Sequence, residues 1–183
     1  MQPTNWSAFL LKSYVKPKFI FVDGSPDFWL DRRFSSSSLY PPIDTENFKS
    51  FSEEKIAKNR KKMGISENST VVLFVGEVSK RKGAHIFYNA FKDVQGYHKD
   101  IFPIVIGSGP LDYLFKEEND ILYLGPMRND YLPTYYNIAD ATLILSKTDV
   151  YPIVGFESIA CGTPVITTAR VMKRVHDAGL YLW

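Results

Sequence analysis

Short apolar runs alternate with segments of helical periodicity from residue 71 onward, and few folds accept that pattern. Residues 71–75, 102–106, 121–124, 143–145 and 165–167 read as strands. Helices are predicted over 84–94, 111–116 and 129–138, and from Ile153 to a stop at Gly162. A helical segment at 171–176 and a sixth short strand at 180–182 complete the series. The strands are apolar almost throughout, as expected when both faces of a parallel sheet are covered. Right-handed crossovers then give an α/β fold with a Rossmann-like, doubly wound parallel sheet of about six strands. Such sheets take ligands outside the carboxyl ends of their strands.

Upstream the signals are weaker. Residues 1–16 scatter Trp6, Phe9, Leu10, Tyr14 and Val15, consistent with a short helix or an arm. Residues 18–22 read as a strand ended by Asp23-Gly24, and 26–33 as one or two helical turns. The serines at 35–38 read as loop merging into a strand at Leu39-Tyr40. Tyr40-Pro41-Pro42-Ile43-Asp44 breaks structure, because each proline restricts the residue before it. It divides the chain into 1–43 and 44–183. From Ser52 to Gly64 a helix is predicted, with acids in its first turn and Lys58, Arg60, Lys61 and Lys62 towards its end. That basic run reads as solvated charge matched to the helix dipole.

The stretch from Thr148 to Ile166 carries the chemistry. Asp149 is a candidate N-cap and Pro152 suits a first turn. Ile153, Phe156, Ile159 and Ala160 form one face, Gly162 stops the helix and Pro164 bars its return. Two carboxylates, Asp149 and Glu157, thus gather at one helix N-terminus with the free N–H groups of Ile153, Val154 and Gly155. Such an end attracts anions, and a carboxylate there accepts hydroxyls. A ligand carrying both phosphate and sugar hydroxyls fits.

These residues also resemble a known signature. A carboxylate, seven residues, Glu, then Ser158-Ile159-Ala160-Cys161-Gly162-Thr163-Pro164-Val165-Ile166, is similar to the retaining family-four glycosyltransferases of the GT-B fold. Asp149 stands where that family usually has Glu. The resemblance implies the C-terminal, donor-binding domain for 44–183, and a remnant or linker of the N-terminal acceptor domain for 1–43. It implies transfer of a hexose from a UDP-, GDP- or ADP-sugar to a glycan, lipid or protein acceptor, with retention. Glu157 would bind ribose hydroxyls, Asp149 would lie by the donor sugar, and Val154 and Gly155 would offer amides. Lys82 would bind phosphate and stabilise the leaving pyrophosphate. The family generally needs no metal or other cofactor.

Three further turns follow strands. Gly76-Glu77-Val78-Ser79-Lys80-Arg81-Lys82-Gly83 places three cations at a helix start, against the dipole, which makes sense around an anion. Residue types alone divide evenly between that and a solvated loop. In the family, Arg follows the first Gly and Lys precedes the second. Lys82-Gly83 matches, but Glu77 holds the Arg position, so Lys80 or Arg81 would have to substitute. Ile106-Gly107-Ser108-Gly109-Pro110 lets backbones approach closely; it follows the second strand and lacks a third Gly, which excludes an NAD fingerprint. The family has a similar turn near the nucleotide. Gly125-Pro126-Met127 is a bare loop or, by the resemblance, the edge of the base site.

Composition narrows the alternatives. The 183 residues are 45 % hydrophobic, and a net charge of +2 gives no strong pull toward nucleic acid. The single cysteine, Cys161, suits packing at a helix end in a reducing compartment. No apolar run of membrane-spanning length occurs, so a cytoplasmic protein with at most peripheral membrane contact is expected. His85, His98 and His176 lack metal-ligand spacing, and Tyr131, Tyr135 and Tyr136 read as packing residues. With most of an acceptor domain unaccounted for, little or no transfer by this chain alone is expected. The alternative is a non-catalytic nucleotide-sugar module, or half of a split enzyme that pairs with an acceptor chain or with itself.

Overall fold

The structure, a computed structural model, describes residues 19–21, 36–38 and 43–168, apart from 148, 150 and 151. The chain forms two units, residues 1–41 and 42–183. In the first, β1 (Phe19–Phe21) pairs in parallel with β2 (Ser36–Ser38), Phe19 opposite Ser36. The serine run is therefore strand rather than loop. The predictions at 1–16, 26–33, 39–40, 171–176 and 180–182 lie outside the described residues.

The second unit is a three-layer sandwich. Its elements are α1 (Glu53–Lys62), β3 (Thr70–Val75), α2 (Ala84–Gln95), β4 (Ile101–Ile106), α3 (Tyr113–Lys116), β5 (Leu122–Gly125), α4 (Leu132–Ile138), β6 (Ala141–Ile144), α5 (Ile153–Ala160) and β7 (Val165–Thr167). The five strands lie in the order β5-β4-β3-β6-β7, all parallel. Counted from β3 this is 3-2-1-4-5, so the order reverses between β3 and β6, the kind of switch point at whose carboxyl ends such sheets take ligands.

Alternation along the strands explains both faces. Val71, Leu73, Ile104 and Ile106 point to one side, where Leu132, Tyr136 and Ile138 of α4 and Cys161 at the end of α5 meet them. Phe74 and Val105 point to the other, against Ala84, Phe87 and Phe91 of α2 and Phe115 of α3. Leu73 is 0 % and Phe115 1 % exposed, each worth roughly 2–3 kcal/mol of transfer free energy.

Helix α1 is attached differently, for none of its residues is fully buried. Ser52 caps it, its hydroxyl accepting from the Lys55 N–H at 3.4 Å. Arg60 then departs from the solvated reading of the basic run. Its Nε and Nη2 donate to the Ile138 carbonyl at 2.9 and 2.7 Å, and Nη2 also meets Asp140 at 2.7 Å. Asp140 in turn accepts from the Val71 N–H, which ties α1 to the amino edge of the sheet.

The predicted stripe of α5 also differs from the buried one. Gly155, Phe156, Glu157 and Ser158 are buried in succession, while Ile153 is 40 % exposed. A short helix wedged between β6 and α4 is covered on more than one side. A Cβ on Gly155 would lie 3.0 Å from Ile144 Cδ1, and the Ser158 hydroxyl donates to Thr142 Oγ1 at 2.8 Å. Tyr131 is 60 % exposed, unlike its packed neighbours Tyr135 and Tyr136, because the first turn of the predicted helix is a separate 3-10 turn.

Candidate functional site

At the switch point between β3 and β6 two loops are stitched together. Leaving β3, Val78 is buried and anchors the loop, and the Ser79 carbonyl accepts from the Ala84 N–H at 3.1 Å. The Ser79 hydroxyl accepts from the Lys82 N–H at 3.3 Å. Gly83 opens α2 at φ +81°, and a Cβ there would stand 2.2 Å from the Leu145 carbonyl oxygen. Only glycine lets α2 start this close to the end of β6. The Lys147 N–H donates to the Arg81 carbonyl at 3.0 Å and joins the two loops through their backbones.

Across this junction Lys82 Nζ lies 2.5 Å from Asp149 Oδ2, with the two side chains 24 % and 10 % exposed. The Ser146 hydroxyl, 1 % exposed, donates to the same oxygen at 3.2 Å. Asp149 therefore does not cap α5. Pro152 is the N-cap residue and has no polar side chain with which to cap, while the Asp149 carboxylate is taken by the cation on the β3 loop. The amide reading needs a second correction. Gly155 N–H donates to the Pro152 carbonyl at 2.8 Å, so it is not free. Ile153 and Val154 N–H find no acceptor among the described residues.

The remaining cations divide. Arg81 pairs with Glu77 at 2.5 Å on the surface, and this bond holds the Glu77 carboxyl below its ordinary range. Lys80 is exposed without a charged partner among the described residues. Gly76, at φ +136°, faces open space where a Cβ would meet nothing.

Gly107 and Gly109 approach the protein's own backbone. A Cβ on Gly107 would fall 1.8 Å from the Gly76 carbonyl oxygen, and one on Gly109 2.6 Å from that of Val78. Gly76, Val78 and Leu111 N–H donate across the two loops at 2.9–3.0 Å and lock them together. At the end of β5, Pro126 is exposed, while Met127 packs against the core.

Glu157 has a partner other than Lys82, on the seam between α4 and α5. It is 5 % exposed, and Oε2 accepts from the Tyr136 hydroxyl at 2.8 Å. Burial raises its pKa against the opposing effect of that bond. Burial and the neighbouring carboxylate push the Tyr136 hydroxyl well up too. Its second oxygen is not among the described side-chain atoms sealed from water without a partner; His85 Nδ1 is. Cys161 closes α5 as a packing residue, its thiol pushed up to about 11 by burial. Among the described residues no group of three or more His, Cys, Asp or Glu is placed to hold a metal ion, and no helix is long and apolar enough to cross a membrane.

Sequence reasoning missed Ser146 and Tyr136. Ser146 has a signal, a small polar residue directly behind an apolar strand at the rim. Tyr136 has none, since a tyrosine on a packed helical face reads as core.

A doubly wound parallel sheet with a cation–carboxylate pair across its switch point defines an α/β ligand-binding layer. Residues 55–174 match the family of glycosyl transferases group 1, and the chain belongs to it. A glycosyltransferase of Methanocaldococcus jannaschii is 30 % identical over 124 residues, covering 64 % of this chain and 31 % of its own length. The D-inositol 3-phosphate glycosyltransferase of Acidothermus cellulolyticus is 30 % identical over 131 residues, 63 % of this chain and 29 % of its own. The chain thus covers about a third of the curated relatives it matches.

Among solved structures, Anabaena HepE in complex with UDP and glucose superposes with a TM-score of 0.72 at 21 % identity, over 94 % of this chain and 50 % of its own. The C-terminal domain of a group 1 glycosyl transferase from Francisella tularensis gives 0.58 at 20 % identity, over 70 % and 71 %. The fold is that of the GT-B glycosyltransferases, and the described unit corresponds to their C-terminal domain.

Proposed function

We propose that residues 42–183 bind a nucleotide-diphospho-sugar and act as the donor half of a retaining glycosyltransferase. The observation that carries this reading is the Lys82–Asp149 pair, set at the sheet's switch point in a chain of this family. Lys82 takes the pyrophosphate and stabilises the charge that grows on it as the glycosidic bond breaks. Asp149, anchored by Ser146, accepts hydroxyls of the transferred sugar. The Ile153 and Val154 amides add donors at the positive end of α5. The relatives' names, an inositol-phosphate glycosyltransferase and, in Acholeplasma laidlawii, an α-monoglucosyldiacylglycerol synthase, support sugar transfer and leave the acceptor open. UDP and glucose in the HepE complex support a nucleotide sugar as donor. For a ribose to be read by Glu157, it must reach the carboxylate oxygen that Tyr136 leaves uncommitted.

Calorimetric titration with UDP, GDP and ADP tests this. At least one is expected to bind, and Lys82→Ala to lose about tenfold or more in affinity, as for loss of a charged phosphate contact. Flat traces for all three would reject the reading. One observation favours a non-catalytic nucleotide-sugar module instead: Glu77, in the family's Arg position, takes up Arg81. Release of free sugar from the bound nucleotide sugar would separate an enzyme from such a module.

A further inference from the structure

We propose that the Lys82–Asp149 pair is a latch by which the site selects nucleotide sugars over bare nucleoside diphosphates. This rests on the reading that the rim takes a nucleotide-diphospho-sugar. The two partners are held unequally. Asp149 is the fixed one: its Oδ2 takes the hydroxyl of Ser146, and the Ser146 carbonyl is held by the Thr168 hydroxyl at 3.1 Å. Lys82 is fixed at its backbone by Ser79, but its ammonium rides on a flexible four-carbon stem.

A bare diphosphate that enters must draw Lys82 away. It then leaves a carboxylate, 10 % exposed, with the Ser146 hydroxyl as its one remaining described donor and a new anion beside it. An uncompensated charge with so little access to water is strongly unfavourable. Of the other cations on the β3 loop, Arg81 is engaged by Glu77, and Lys80 is exposed with no charged partner among the described residues. A nucleotide sugar satisfies both halves at once. Its pyrophosphate takes Lys82 while its sugar hydroxyls donate to Asp149. The pair thus disfavours the diphosphate, which is also what remains after the sugar has left.

The test is calorimetry on the whole chain with UDP, GDP and ADP and their glucose conjugates. For the base that binds, the glucose conjugate is expected to bind wild type at least fivefold more tightly than the diphosphate, a typical coupling. Asp149→Asn removes the charge and keeps the size. It is expected to tighten the bare diphosphate about fivefold or more while weakening the conjugate, so that the preference disappears. Ser146→Ala takes away the one described donor that the carboxylate keeps when Lys82 leaves, so it is expected to weaken the bare diphosphate more than the conjugate and to widen the preference, and it covers the case in which the first variant does not fold. Diphosphate affinity unchanged or weakened in Asp149→Asn, with wild type binding normally, overturns the latch and leaves the donor site standing. No binding of any nucleotide to wild type or variants overturns both.

Discussion

Two regions of the second unit each hold one carboxylate of the signature, and their surroundings differ in kind. At the rim, Asp149, its side chain 10 % exposed, faces an ammonium and a hydroxyl. On the α4–α5 seam, Glu157 faces a phenol beneath packed side chains, and Tyr136 lies tilted against Phe48 with ring centroids 6.1 Å apart. The rim offers charge to be exchanged with an anion. The seam holds a charge that burial opposes, so its carboxylate contributes to stability with a pH dependence. Eight positions of sequence separate two electrostatic problems, and the local partner decides which of them each residue answers.

The contrast can be broken at several points. The largest effect is expected from Gly107→Ala, which forces a Cβ onto the Gly76 carbonyl at φ +133°. About 3 kcal/mol or more of strain should lower the melting temperature by roughly 10 °C. Nucleotide binding should fall with it, because the β3 loop carries Lys82. A melt within a degree or two of wild type would show that the two loops are not locked.

Tyr136→Phe should be next, at about 1–3 kcal/mol, for a buried carboxylate then loses its donor. The sign of its pH dependence follows from Glu157. Without the phenol the folded pKa rises further, so the loss is full at pH 8 and shrinks as acid protonates the carboxyl. A loss that is flat with pH would place the effect in packing alone.

Glu157→Gln should do the reverse. Wild type gives up stability as pH rises from the ordinary value of 4.5 through the raised folded pKa, and the amide does not. The variant should therefore be more stable at pH 7–8 by about 1 kcal/mol, with the advantage closing towards pH 4.5. A variant less stable than wild type at neutral pH would mean that the ionised Glu157 is well solvated.

The smallest effect is expected from Arg81→Ala. Its partner is on the surface, so the melt should not move and nucleotide affinity should change less than about threefold. A loss as large as that of Lys82→Ala would show that Arg81 leaves Glu77 for the ligand.

Much of the layer was legible because strands covered on both faces must be apolar throughout, as Val71–Val75 and Ile104–Ile106 are. Gly162 stopped α5 as expected, at φ +83° with its N–H on the Ile159 carbonyl. What could not be read were contacts between distant residues. Ser36–Ser38 has no strand propensity, and its pairing with β1 makes it a strand. Asp149 has the chemistry of a cap, but a lysine 67 residues earlier holds it. Arg60 belongs to a basic run, yet its acceptor is a carbonyl 78 residues away. At the site, Lys82 and Asp149 were each nominated by the sequence; that they meet was not. Glu157 was nominated for the rim by its spacing, and the Tyr136 partner that covers it carries no pattern.

The pairing of β6 with β3 has a consequence for how the molecule comes into being. During synthesis β3, β4 and β5 leave the ribosome together, while β6 and the carboxylate for Lys82 follow only after residue 141. Until then one edge of the central strand stays unpaired and open to wrong neighbours. The meeting of Lys82 with its carboxylate thus waits on a strand made after the first three, and β7 can join the sheet only once β6 is in place.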